Sequence, residues 1–411
     1  MRTSTISAIA LAVLFATLAN AQAPGQGISK TTYACENPLP GLDFMLKYFP
    51  TTRPGDECSG DVCDCGDWNI TQGRVYASYT KPVEPCPTGS PGMGFGMHLV
   101  NVAKSKTTGG QSVAQVEAHF ATKLNGMKAF DSFMDFNAMF YTTGLKAYYE
   151  AFKADGVATY VSTWSYNKTT WTSVFVQVPN SMMVLELCQD TTLGVSSDYH
   201  PGGRASSASI ERVLSKVHGL SDTTDDTTGA VIDILAVNHG ASATSFAKLE
   251  DFYVKGMGCT VETTTTKDYN RKCFRWGGAT VDICFYQRDD SATSGSFKVL
   301  TLEDMLHTVH TNIIGKQPQC NRDKWTDWHY AIDSRSADTS SIASYIDANK
   351  VSVMCGGTTP HYVIDPTGWG IQMDLNWGSN AVSQCSSSAT ELFGRKLLGP
   401  GNPSCQDATC A

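Results

Sequence analysis

Between residues 328 and 377, polar side chains stand on two short apolar runs. His329 opens Trp-His-Tyr-Ala-Ile-Asp, and Gln372 and Asp374 lie in Trp-Gly-Ile-Gln-Met-Asp-Leu. Gln372 and Asp374 are two residues apart and therefore share one face of a strand. An imidazole, an amide and a carboxylate brought together supply donors for a divalent cation, or a base for a bound molecule. The elements that would position them can be read from the same stretch. A helix over 340–349 follows the first strand, and the turn Asp365-Pro366-Thr367-Gly368 launches the second.

A similar order occurs earlier in the chain. Alternating apolar residues predict strands at 97–102, 133–141, 158–164, 171–178 and 182–188, with amphipathic helices over 112–124 and 144–155. After a helix near 209–217 and a polar linker over 221–229, strands are expected at 232–237, 259–264, 272–276 and 280–286, with a helix over 245–255. The helical segment 144–157 has its counterpart in 339–351. Both follow a strand closely, and both lead to a strand carrying an acidic residue, Glu186 or Asp374, which suggests an internal duplication.

The 328–377 stretch, with its His329 strand, its helix, its Asp-Pro-Thr-Gly turn and its last strand, resembles the closing module of the vicinal oxygen chelate superfamily of glyoxalases, bleomycin resistance proteins and extradiol dioxygenases. The resemblance implies an α+β fold: two tandem domains of paired βαβββ modules forming curved mixed sheets, here behind a Cys-rich N-terminal extension. The expected boundaries are a signal peptide over 1–21, the extension over 22–92, a partly degenerate first domain over 93–190, a helix and linker over 191–228, a second domain over 229–380 and a Cys-containing tail over 381–411. In that superfamily the first and last strands of each module supply ligands to one divalent metal ion. Carried over, the ligand positions hold Asp233, Asp282, His329, Gln372 and Asp374. Gln372 stands where the family has a glutamate, a poorer donor to a hard cation, and Asp374 on the same face would substitute. In the first domain His98 and Glu186 fit the outer positions, whereas Asn137 occupies that of a histidine. This domain is expected mainly to wall the pocket.

The rest of the chain bounds the setting. Met1-Arg2, an apolar run over 6–18 and Ala19-Asn20-Ala21 have the layout of a secretory signal. All 14 cysteines follow it, so disulfides are the expected state, including for Cys58, Cys63 and Cys65, whose spacing also suits zinc. Asn69-Ile-Thr and Asn167-Lys-Thr are glycosylation sequons. A net charge of −8 without basic clusters argues against nucleic acid and anionic membranes as partners. No Gly-rich phosphate loop, Gly-x-Ser-x-Gly elbow or paired Cys/His nucleophile is present.

His307 and His310 suit a helical surface and His239 a loop cap. Tyr148, Tyr149, Phe252 and Tyr253 suit helix packing, and Trp164, Trp171, Trp369 and Trp377 suit core filling or the lining of a cup. The resulting expectation is a secreted, divalent-metal-dependent lyase, isomerase or dioxygenase acting on a small oxygen-chelating molecule. A spare carboxylate among Asp233, Asp282 and Asp374 would be its general base. The alternatives are a metal-free small-molecule-binding protein of the same fold and an extracellular structural protein.

Overall fold

The computed structural model describes residues 27–35, 38–49, 53–54, 74–78, 96–101, 137–179, 183–197, 205–217, 232–241, 243–265, 269–276, 281–288, 329–334, 337–356, 358–367 and 369–386. The expected signal peptide, the helix over 112–124, Asn69, Cys58, Cys63, Cys65, His307, His310 and the tail beyond 386 lie outside them.

One order of elements recurs four times: strand, helix, then three strands. The first unit comprises β1 (Gly27–Cys35), α1 (Pro38–Tyr48), β2 (Arg53–Pro54), β3 (Arg74–Ser78) and β4 (Gly96–Asn101). The second comprises β5 (Asn137–Thr142), α2 (Leu145–Ala154), β6 (Thr159–Tyr166), β7 (Thr169–Gln177) and β8 (Val184–Gln189). Helix α3 (Ser207–Val217) stands between the second unit and the third. The third comprises β9 (Ile232–Gly240), α4 (Ala243–Glu250, continued as a wide π turn over Asp251–Gly256), β10 (Cys259–Thr265), β11 (Tyr269–Trp276) and β12 (Asp282–Arg288). The fourth comprises β13 (His329–Ser334), α5 (Thr339–Asn349), β14 (Val353–Gly356), β15 (Thr359–Ile364) and β16 (Gly370–Leu375), and is followed by the short α6 (Ser383–Ser386).

Within each unit the first strand runs parallel to the last, a pairing that requires a crossover and obtains it from the helix. Units then join through antiparallel pairing of their first strands, β5 with β9 and β1 with β13. Two eight-stranded mixed sheets result. Sheet A has the order β14-β15-β16-β13-β1-β4-β3-β2, and sheet B has β10-β11-β12-β9-β5-β8-β7-β6.

This grouping differs from the division expected at residues 93 and 229. The second and third units share sheet B, while the first and fourth, far apart in sequence, share sheet A. Residues 22–92, expected to be an extension, contribute β1, α1, β2 and β3 to sheet A. Short polar strands such as Gly-Ile-Ser-Lys-Thr-Thr-Tyr do not announce themselves, because pairing to a distant strand leaves no local periodicity.

The unit helices bury one stripe each, Leu145, Tyr148 and Phe152 on α2 for instance, as spacings of three and four residues dictate. These stripes merge with the inner faces of both sheets into one core containing Phe140, Leu185, Phe274, Phe285, Tyr330, Ile332 and Ile371. Across it α1 meets α2, with the Phe44 and Phe152 rings stacked at 5.9 Å and the Phe49 and Tyr148 rings at 5.3 Å. Tyr48 donates to Asp155, which also pairs with Lys47 at 2.8 Å. On the other side α4 meets α5, where Tyr345 donates to Asp251 at 2.9 Å. Disulfides join Cys273 to Cys284 across β11 and β12, and Cys355 to Cys385 between β14 and α6; Cys188 and Cys259 are buried thiols. Among the described residues no helix is long and apolar enough to cross a membrane.

Candidate functional site

Alternation along each strand sends every second side chain to the sheet face turned away from the shared core. Those two outer faces carry the residues expected to do chemistry. They are built differently.

On sheet B the backbone register lines up Glu186, Met139, Ala236 and Asp282 across β8, β5, β9 and β12. Carboxylates occupy both last-strand positions, but both first-strand positions are apolar. Helix α3 lies over this face. Ala205, Ile210 and Val213 are buried against Met139, Tyr141, Trp171, Leu235 and the Cys273–Cys284 bridge, and burying an Ile or Val side chain contributes roughly 1.5–3 kcal/mol.

The acids are taken up in the same contact. Asp282 is 1 % exposed. It accepts from the Ser206 backbone N–H at 3.2 Å, from the Ser206 hydroxyl, and from Arg275 Nε at 2.7 Å. Arg275 also donates to Ser209 at 2.7 Å, and Arg271 donates to the Ala205 carbonyl at 2.8 Å and to Glu262 at 2.8 Å. Asp233 pairs with Arg212 of α3 at 2.9 Å. Glu186 accepts from Ser173 at 2.6 Å, and Ser173 in turn accepts from Trp164 Nε1 at 2.9 Å. Asn137, where a histidine was expected, accepts from Asn238 at 3.0 Å.

Cys273, Asp282 and Cys284 bring ligand-type atoms within 4.8 Å of one another. The two sulfurs are joined to each other, however, and a metal needs thiolates. Asp233 and Asp282 are thus ion-pair partners of arginines, with the helix cover as their counterpart.

On sheet A the register aligns His98, Thr32, His329 and Gly370 across β4, β1, β13 and β16. The neighbouring row places Lys30 beside Ala331 and Ala331 beside Gln372. Ile371 and Met373 enter the core, so Gln372 and Asp374 belong to the outer face; Gln372 is half-buried and Asp374 exposed. Gln372 Nε2 donates to both Asp374 oxygens, at 2.9 and 3.0 Å, and Tyr362 donates to Gln372 Oε1 at 3.3 Å. This sets the amide's orientation, since reversing it would press Oε1 against a carboxylate.

The five residues carried over from the resemblance therefore divide between the sheets: Asp233 and Asp282 in sheet B, His329, Gln372 and Asp374 in sheet A. His98 and Glu186, expected to share the first domain, also part, and His98 joins the row of His329. The sequence signal for Arg275 opposite Asp282 is the alternation Arg271-Lys-Cys273-Phe-Arg275, which sets two cations and a cysteine on one strand face; Arg212 on α3 carries no comparable local signal.

Behind sheet A lies a third polar group, wholly buried. Asp365 Oδ1 accepts from Thr367 N at 2.8 Å, Thr367 Oγ1 at 2.5 Å and Trp369 N at 3.1 Å, organising the turn as its sequence suggested. Its Oδ2 accepts from Tyr253 at 2.8 Å, and the Tyr253 and Tyr330 hydroxyls are 2.5 Å apart. Burial pushes the Asp365 carboxyl up to about 6 against the pull of these donors, and burial likewise raises both tyrosines. His239, expected to cap a loop, instead sits in the core with its ring 3.4 Å from that of Trp369. Tyr148, Phe252, Tyr253, Trp171, Trp369 and Trp377 are buried, and Trp164 stacks on Trp171 at 4.9 Å.

No family model matches this chain, and no curated protein matches it. Solved structures do. Glyoxalase I from Zea mays is 11% identical over 85% of this chain and 92% of its own, with a TM-score of 0.41. A putative dioxygenase from Bacillus subtilis is 13% identical over 92% of both chains, with a TM-score of 0.42. The Mn(II)-bound glyoxalase from Novosphingobium aromaticivorans is 9% identical over 92% of this chain and 97% of its own, with a TM-score of 0.20.

Proposed function

We propose that the chain is a secreted protein of the vicinal oxygen chelate type that works on the outer face of sheet A. There His98, His329 and Gln372 would hold one divalent metal ion, and a small molecule with two adjacent oxygens would complete the coordination. The observation that carries the reading is the register of sheet A. Two strand spacings of about 4.8 Å put the His98 and His329 backbones roughly 10 Å apart, a span that two imidazoles bound at about 2.1 Å can bridge. Gln372 lies on the strand next to His329, one step along, with its amide orientation set by Asp374 and Tyr362.

Two imidazoles and an amide carry no charge. An ion held by them keeps its full Lewis acidity and favours an anionic oxygen chelate; when bound, it would stabilise an enolate or activate oxygen, as a lyase, isomerase or dioxygenase requires. Asp374, exposed and bonded to Gln372, would be the carboxylate that accepts a proton. Two disulfides among the described residues are compatible with an extracellular location.

Metal analysis of the purified protein after manganese or zinc titration tests this reading. One ion per chain is expected, lost in His98→Ala or His329→Ala and retained in Asp282→Ala. If wild-type protein takes up no ion, the metal reading fails. A small molecule that raises the melting temperature without metal would then favour the binding-protein alternative.

A further inference from the structure

We propose that Tyr253, Asp365 and Tyr330 form a buried latch through which α4 of the third unit fixes β13 and β16, and with them the positions of His329 and Gln372. The inference rests on the reading of sheet A given above. Tyr330 directly follows His329, and Trp369 directly precedes Gly370, the register partner of His329. Both strands are therefore gripped from behind at the level where the outer face carries its row. Asp365 closes the turn into β16 by donating its N–H to the Trp369 carbonyl at 3.0 Å, while its side chain takes the Trp369 N–H at 3.1 Å.

The far end of the latch is equally well founded. The Tyr253 ring stacks on Phe274 at 4.7 Å and touches Phe285 at 5.5 Å and Trp276 at 5.9 Å, so it is anchored on β11 and β12 of the other sheet. Ser245, also on α4, donates to the Pro366 carbonyl at 2.9 Å, a second tie to the same turn. Tyr253 lies in the π turn, a helical irregularity frequently found at functional sites. These groups serve as positioning residues, because they stand on the core side of the strands whose outer sides carry the donors.

Tyr253→Phe keeps the ring and removes the hydroxyl that joins Asp365 to Tyr330. Val176→Ala, in the core of sheet B, serves as the control for general loosening. Backbone hydrogen exchange on the full chain should rise about tenfold more in β13 and β16 for Tyr253→Phe than for Val176→Ala, and manganese affinity should fall about tenfold for Tyr253→Phe alone. Asp365→Asn should raise exchange in the same two strands. Exchange that rises equally in both sheets, or only within α4, overturns the latch. If wild-type protein binds no manganese, the site reading fails by itself, and the exchange pattern still decides whether the latch exists.

Discussion

The outer faces of the two sheets are made from the same strand order, yet among the described residues a helix lies over that of sheet B alone. On sheet B, Asp233 and Asp282 face Arg212 and Arg275, and α3 supplies apolar cover together with backbone and hydroxyl donors. On sheet A the row His98, Thr32, His329 adjoins an amide and an exposed carboxylate. A face whose aspartates are paired with arginines under a helix stabilises the fold but has few carboxylates left to offer a ligand. Identical topology can thus carry buried ion pairs under a helix on one sheet and a different set of polar groups on the other.

Breaking the closed face should cost most. Asp282→Ala leaves Arg275 without its carboxylate under α3, and a loss of about 3–5 kcal/mol is expected in denaturant unfolding, with metal uptake at sheet A unchanged. An equal loss of metal would show that the two faces are not independent.

Next comes the group between the sheets. The folded pKa of Asp365 lies above its unfolded value of 3.8, at about 6, so between those pH values the folded chain holds the proton more tightly. Its contribution is full below pH 3.8 and is lost as pH rises through 6, a decline of about 3 kcal/mol for a shift of this size. Melting temperatures measured across that window should lose this component in Asp365→Asn.

The seam between α4 and α5 should respond less. A Cβ on Gly256 would lie 2.6 Å from the Tyr345 ring, so Gly256→Ala should cost about 1–3 kcal/mol in unfolding free energy while leaving the Arg275–Asp282 pair intact. The smallest effect belongs to the outer face of sheet A. Asp374→Ala removes only an exposed acceptor and should change stability by less than about 1 kcal/mol. By freeing the Gln372 amide to turn, it should nonetheless weaken metal uptake. Stability lost without any change in uptake would reverse the roles assigned to the two faces.

Local elements were readable because they depend on local chemistry. The 3.6-residue spacing of Leu145, Tyr148 and Phe152 marks α2, and the two-residue turn at Asn167-Lys168, both at positive φ, joins the alternating runs of β6 and β7. Which strand lies beside which was not readable. The pairing of Thr32 with His329 links residues almost three hundred positions apart, and nothing in either segment names its partner. The expected ligand positions, taken from the four outer strands of the expected second domain, fall in two different sheets. Helix α3 was visible as a helix, but its burial depends on arginines and serines that meet only in three dimensions. Asp365 was legible as a turn residue because Thr367 and Trp369 are its near neighbours; its bond to Tyr253 crosses 112 positions and was not.

The strand order also bears on how the chain is made. Sheet B is drawn from one continuous stretch, β5 to β12, and can close once residue 288 has been synthesised. Sheet A needs the first unit to wait for the fourth, with the second and third units standing between them. During synthesis at roughly 5–20 residues per second, β1 remains without its lasting neighbour β13 for several seconds after sheet B can form. The half that carries His98 and His329 is therefore the half exposed to wrong partners for longest, and its completion is the slower event in the birth of the molecule.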